Sequence, residues 1–195
     1  MLLDFLDVAP DSTGRARGGA YGSHLYGSGD QQVLILLLDA RYHRDPPGDN
    51  ADVLGAEQWA WLEEQLTTTQ ARLNIIASGI QILSAEHQYE KWANFPRARK
   101  RLLDLVHTSG ARGVVFLSGD RHLAEISRLD SPGHPPLYDV TSSGLMHSWT
   151  NFPGEPNRLR VGSVFHQLNF GLLTIDWRTE PAVVDLQILD VRGAV

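Results

Sequence analysis

Val114-Val115-Phe116-Leu117-Ser118-Gly119-Asp120-Arg121-His122 is the stretch on which the fold turns. Four apolar residues in a row, closing on Gly-Asp-x-His, read as a buried strand that ends in a tight turn. The strand is expected over 112–118. The turn after it delivers a carboxylate and an imidazole to one point in space. Such a pair suits a divalent metal ion and, through the ion, a phosphate group.

The chain alternates on the N-terminal side of this stretch. Residues 33–38 form an unbroken apolar run of strand length that ends in Asp39-Ala40-Arg41-Tyr42-His43, with a turn at Pro46-Pro47-Gly48. Residues 57–67 carry Trp59, Leu62 and Leu66 at helical spacing. Residues 73–78 are a second buried strand. A second helix is expected over 97–107, after Pro96, with Ala98, Leu102, Leu105 and Val106 on its apolar face. Arg97, Arg99, Lys100 and Arg101 fall on the opposite face and are expected to be solvated. Residues 11–32, with Gly14, Gly18, Gly19, Gly22, Gly27 and Gly29, read as loop with short extended pieces. Beyond Leu123 strands dominate, at 126–129, 137–141, 169–177 and 183–191. In the last, Val184, Leu186 and Ile188 alternate with Asp185 and Gln187. This order predicts an α/β chain built as a mixed-sheet layered sandwich, one domain over 1–195.

The composition narrows the chemistry. Hydrophobic residues make up 42% and charged residues 21%, the balance of a globular chain with a core. The absence of cysteine excludes disulfides, zinc fingers and thiol catalysis, so any metal takes His, carboxylate or other oxygen and nitrogen ligands. A net charge of -6 disfavours a broad nucleic-acid surface. Met1-Leu2-Leu3-Asp4 lacks the basic start of a secretory leader. No apolar run approaches the roughly 20 residues of a membrane span. The expected location is the cytoplasm, with no membrane contact.

Two of the buried strands end in carboxylates, at Asp39 and Asp120. Ligands gather at the carboxyl ends of strands in α/β sheets. If the two strands are parallel neighbours, both acids face one cavity. Arg41 follows Asp39 by two residues and offers a planar fork to phosphate oxygens. His122 follows Asp120 by two and offers a nitrogen to a metal. Arg121 and His43 lie beside them. Asp39 has a second reading, as the cap of its own turn or an ion-pair partner of Arg41. Among the remaining histidines His147 is best placed, after the hydroxyl-rich Thr141-Ser142-Ser143-Gly144; His87 and His166 have no such frame and read as structural. Glu125 is placed to orient His122 by accepting its second N–H.

Six stretches, taken in order, resemble the PhoD-like alkaline phosphatase/phosphodiesterase family, a branch of the metallophosphoesterases. They are Leu37-Leu38-Asp39-Ala40-Arg41-Tyr42-His43-Arg44, Leu54-Gly55-Ala56-Glu57-Gln58-Trp59-Ala60-Trp61-Leu62, Trp92-Ala93-Asn94-Phe95-Pro96, Phe116-Leu117-Ser118-Gly119-Asp120-Arg121-His122, Thr141-Ser142-Ser143-Gly144-Leu145 and Leu168-Asn169-Phe170-Gly171. The resemblance implies a two-sheet sandwich flanked by helices and hydrolysis of phosphate esters at bound metal. It implies that His122 is a metal ligand and that Asp120 shapes the same turn. It also implies a deficit. Family members carry most of their metal ligands in a region upstream of the matched part, so the chain resembles the C-terminal half of the family fold.

These readings combine into one expectation. The chain is a metal-dependent hydrolase of small-molecule phosphate esters, diesters or activated esters, with broad tolerance. Asp39, Asp120 and His122 are the expected ligands of a divalent ion, Zn²⁺ or Mn²⁺ ahead of Fe or Ca. Arg41, Asp120 and His122 are the expected catalytic groups; Arg41, Arg121, His43 and His147 are the expected phosphate contacts. Half of a sandwich leaves an apolar sheet face open, so a homodimer is expected. The alternative is a catalytically inactive fragment that serves as a binding or dimerisation domain.

Overall fold

The apolar runs become the centre of a seven-stranded mixed sheet. In the computed structural model, which describes residues 2–5 and 7–194, nine strands and three α-helices appear among the described residues. Strands are β1 (Gly22–Tyr26), β2 (Val33–Leu37), β3 (Leu73–Ser78), β4 (Val114–Ser118), β5 (Ala124–Ser131), β6 (His134–Ser142), β7 (Arg160–Phe165), β8 (Asn169–Asp176) and β9 (Val183–Asp190). The helices are a short α1 (Leu2–Phe5), α2 (Gly55–Thr68) and α3 (Pro96–Thr108). The large sheet has the order β1-β2-β3-β4-β6-β5-β7, and β8 and β9 form a separate two-stranded sheet. β2, β3, β4 and β6 run parallel, while β1, β5 and β7 pair antiparallel with their neighbours.

Continuous apolar runs are explained by burial on both faces. On one face Leu36, Ile76 and Phe116, all fully buried, pack with Trp59, Leu62 and Leu66 of α2, with Leu102 of α3, and with Trp92 and Phe95. On the other face Leu73, Ile75, Val115 and Val140 meet Leu173 and Ile175 of β8 and Val184, Leu186 and Ile188 of β9. Each large apolar side chain so buried contributes about 1.5–3 kcal/mol relative to exposure. The start of α2 is fixed by Asp52, whose carboxylate accepts the Gly55 N–H at 3.1 Å and the Trp59 indole N–H at 2.7 Å. A carboxylate there also suits the positive end of the helix dipole.

Three expectations need correction. β2 and β4 are not neighbours: β3 lies between them, with Ile75 registered against both Ile35 and Val115. Asp39 and Asp120 therefore leave the same edge of the sheet two strand spacings apart, roughly 10 Å. Strand β7 has no counterpart in the sequence reading, because its residues carry no apolar run and Gly162 adopts a φ of +73° within it. Arg99 is not solvated; it donates to the carbonyls of Ile82 and Leu83 at 2.7 and 2.9 Å. The second sheet is thin, and large apolar side chains stay open around it: Leu145, Met146, Phe170 and Leu172 are 71%, 91%, 37% and 44% exposed. No described helix is long and apolar enough to cross a membrane.

Candidate functional site

The turn between β4 and β5 is held in a conformation that side chains other than glycine resist. Asp120 and His122 both have positive φ, +71° and +53°, the left-handed region that costs a non-glycine residue on the order of 1–2 kcal/mol. Hydrogen bonds from the following segments hold it there. The Arg121 N–H donates to Ser143 Oγ at 3.0 Å, and the His122 carbonyl accepts the Trp149 N–H at 2.6 Å and the Ser148 hydroxyl at 3.1 Å. Beneath the turn Ser118 donates to Asp139 Oδ1 at 2.7 Å, and Asp139 Oδ2 accepts the N–H groups of Ile82 and Leu83. Asp139 is fully buried, and that burial pushes its carboxyl above the usual range against the pull of these donors.

The result is that Asp120 and His122 both stand exposed at the carboxyl edge of the sheet. The ring of His147 meets the His122 ring edge-on, with centroids 4.8 Å apart. Arg41 reaches across from the loop after β2, with Nη2 at 3.7 Å from Asp120 Oδ1. Glu90, which the sequence reading passed over, pairs with both Arg41 and Arg44 and so fixes the direction of the Arg41 fork. The structure thus brings together Arg41, Asp120, His122 and His147.

The other expected site residues are used differently. The Asp39 carboxylate is turned into its own loop, where it accepts the backbone N–H groups of Ala20 at 2.8 Å and of Arg41 and Tyr42 at 2.9 Å each. Burial works against its ionisation, but these three donors outweigh burial and hold the carboxyl below its usual range. Of its two readings, the turn cap describes what its oxygens do. His43 is exposed beside Tyr42, at a ring distance of 4.8 Å, on the Asp39 side of the loop. The Arg121 guanidinium is engaged within the protein: it is buried, ion-paired with Glu155, and lies 4.7 Å from the Tyr89 ring centre. Glu125 does not orient His122. It accepts from Gln81 Nε2 at 2.8 Å and Arg160 Nε at 2.7 Å.

Next to the turn lies a hollow of about 370 Å³ lined by Tyr89, Glu90, Asp120, Arg121, His122 and Trp149. Its donor chemistry suits a divalent ion only in part. Asp120 and His122 are fitting ligand types, yet among the described residues no three His, Asp or Glu side chains converge into a metal-holding group. Asp39, with its oxygens engaged by backbone, does not complete the set. The described residues therefore do not by themselves fit a closed metal centre, which needs at least three protein ligands in its usual forms.

Three comparisons bear on this geometry. Alkaline phosphatase D of Bacillus subtilis (strain 168) is 29% identical over 115 residues, which is 48% of this chain and 20% of that protein, so the chain spans a fifth of that relative's length. A solved structure of PhoD superposes with a TM-score of 0.58 at 17% identity, covering 86% of this chain and 42% of that one. A structure of GAP50, described as the anchor in the inner membrane complex of Plasmodium, gives 0.58 at 11% identity, covering 91% and 52%. These two likenesses are of fold. The family model for PhoD-like phosphatases matches residues 18–150, a span that holds α2, α3, the Gly119–His122 turn, Arg41 and His147. The match covers more than half of the chain, and the chain belongs to the PhoD-like phosphatase family.

Proposed function

We infer that the chain supplies the phosphate-gripping part of a metal-dependent phosphoester hydrolase acting on small diesters or activated esters. The observation that carries this reading is the exposed Asp120–His122 pair held on a left-handed turn with the Arg41 fork beside it. Arg41 neutralises the ester's anionic oxygens and, aimed by Glu90, holds them in one orientation. His147, packed edge-on against His122, fixes the plane of that imidazole. Asp120 and His122 would contribute ligands to a divalent ion, Zn²⁺ or Mn²⁺ by ligand type, and the ion would polarise the phosphoryl oxygen.

A panel of phosphate mono-, di- and triesters, run with and without added Zn²⁺ and Mn²⁺, tests this. Slow turnover that the ions stimulate and that His122→Ala abolishes is the expected result. Turnover that ignores both the ions and the substitution sinks the reading.

A second reading is a binding domain that kept the fold without the chemistry. It draws support from the lack of a third converging ligand among the described residues. Metal loading separates the two: less than about a tenth of an equivalent after refilling favours the binding domain. In either case two copies are proposed to associate through the thin β8–β9 layer and the apolar residues open around it.

A further inference from the structure

The turn does not stand in open solvent on all sides: it is flanked by an aromatic wall. Tyr89 and Trp149 both line the hollow beside Asp120 and His122. Their rings meet edge-to-face at 5.6 Å and 87°. Behind Trp149 the row continues with Phe152 at 5.1 Å and then His166 at 6.1 Å from Phe152. Packing alone does not account for the row's front. Tyr89 is 42% exposed, so a large aromatic surface faces the hollow instead of the core.

The wall is also tied to the catalytic turn. The backbone N–H of Trp149 donates to the His122 carbonyl at 2.6 Å, and Arg121, one residue before His122, lies over the Tyr89 ring at 4.7 Å. The side chain of Trp149 takes no part in the first of these bonds. A group seated against the two rings would thus lie at a fixed distance from Asp120 and His122. The volume, about 370 Å³, has room for a flat ring system together with the phosphate it carries.

We propose that Tyr89 and Trp149 form a subsite for a planar aromatic or heteroaromatic group carried by the phosphate ester, so that aryl or nucleoside esters are the preferred substrate class. This rests on the phosphoester reading above and adds the identity of the group that is esterified. An electron-rich ring wall recognises flat rings by stacking and is indifferent to their hydrogen-bonding edges, so it accepts a phenyl group and a nucleobase alike. An alkyl or sugar group gains less there, because it meets the rings only through C–H contacts and apolar burial.

The test compares ligands that differ only by the ring. Phenylphosphonate is set against methylphosphonate, and adenosine 5′-monophosphate against ribose 5-phosphate. Affinity and the indole N–H resonance of Trp149 are followed by NMR on the intact chain. The ring-bearing member of a pair is expected to bind about tenfold tighter, the scale of one aromatic stack, and to shift that resonance. Trp149→Ala is expected to bring the pair to equal affinity, and Trp149→Phe to restore the preference. A preference in the phenyl pair alone sizes the subsite for a single ring; a preference in both extends it to nucleosides. Equal affinity within both pairs in the unaltered protein, or a preference that survives Trp149→Ala, overturns the subsite and leaves the phosphoester reading standing. Binding by none of the four overturns both.

Discussion

His87 shows how a single buried group makes the molecule sensitive to pH. It is 4% exposed, and its Nδ1 accepts the Tyr89 N–H at 3.2 Å, which places the ring proton on Nε2. That Nε2 is buried and without a partner among the described residues. Burial first, then the charges of Arg121 and Lys91, push its pKa down from 6.5 to about 4. Between these values the unfolded chain binds a proton that the folded chain refuses, so acidification favours unfolding. Stability is expected to fall as the pH drops from 6.5 towards 4, and His87→Gln is expected to flatten that part of the curve; urea midpoints across the range check it. Residues of this kind were the least legible in the sequence. His87 could be read as structural, but only Lys91, four residues on, is local to it; the burial and the Arg121 charge that depress its pKa arise only through the fold. Likewise Arg121 looked like a phosphate contact because its partner, Glu155, lies 34 residues away. The Gly119–His122 turn was legible because a buried strand and its exit loop are adjacent in the chain.

At the scale of elements the apolar runs were sufficient to find β2, β3, β4, α2 and α3, whose core faces follow local periodicity. Periodicity contains no information about which strand lies beside which, so the insertion of β3 between β2 and β4 stayed hidden, and with it the separation of Asp39 from Asp120. A buried polar relay joins the elements beside their apolar packing. Arg99 of α3 binds the carbonyls of Ile82 and Leu83; the N–H groups of those same residues bind Asp139 of β6; and Asp139 binds Ser118 at the end of β4. Removing the central acceptor leaves two buried N–H groups unsatisfied, while the Ser118 hydroxyl keeps Thr141 Oγ1 at 2.8 Å. Asp139→Ala is therefore expected to cost about 3–5 kcal/mol, read as a lower urea midpoint. A second break point is the entry to β4. Gly113 has a φ of +56°, and a Cβ there would come within 2.5 Å of the Arg72 carbonyl oxygen, which is backbone and cannot yield. Gly113→Ala is expected to lower the melting temperature by several degrees, on the order of 1–2 kcal/mol.

For the whole molecule the asymmetry between the two layers dominates. Seven strands face two, and helices cover only the far side of the larger sheet. If two copies close this gap, light scattering at micromolar concentration is expected to give twice the chain mass, and Leu172→Glu, which puts a charge on the open β8 surface, is expected to return a monomer. A monomer in both proteins removes the proposed dimer. The left-handed geometry at positions 120 and 122 has a different reach. Glycine would sit there without steric strain, at an entropic cost, so endurance and the proposed chemistry make opposite demands on the same two positions. Laboratory evolution rewarded for heat resistance alone is expected to trade the carboxylate and the imidazole for glycine, and with them the activity proposed for that turn.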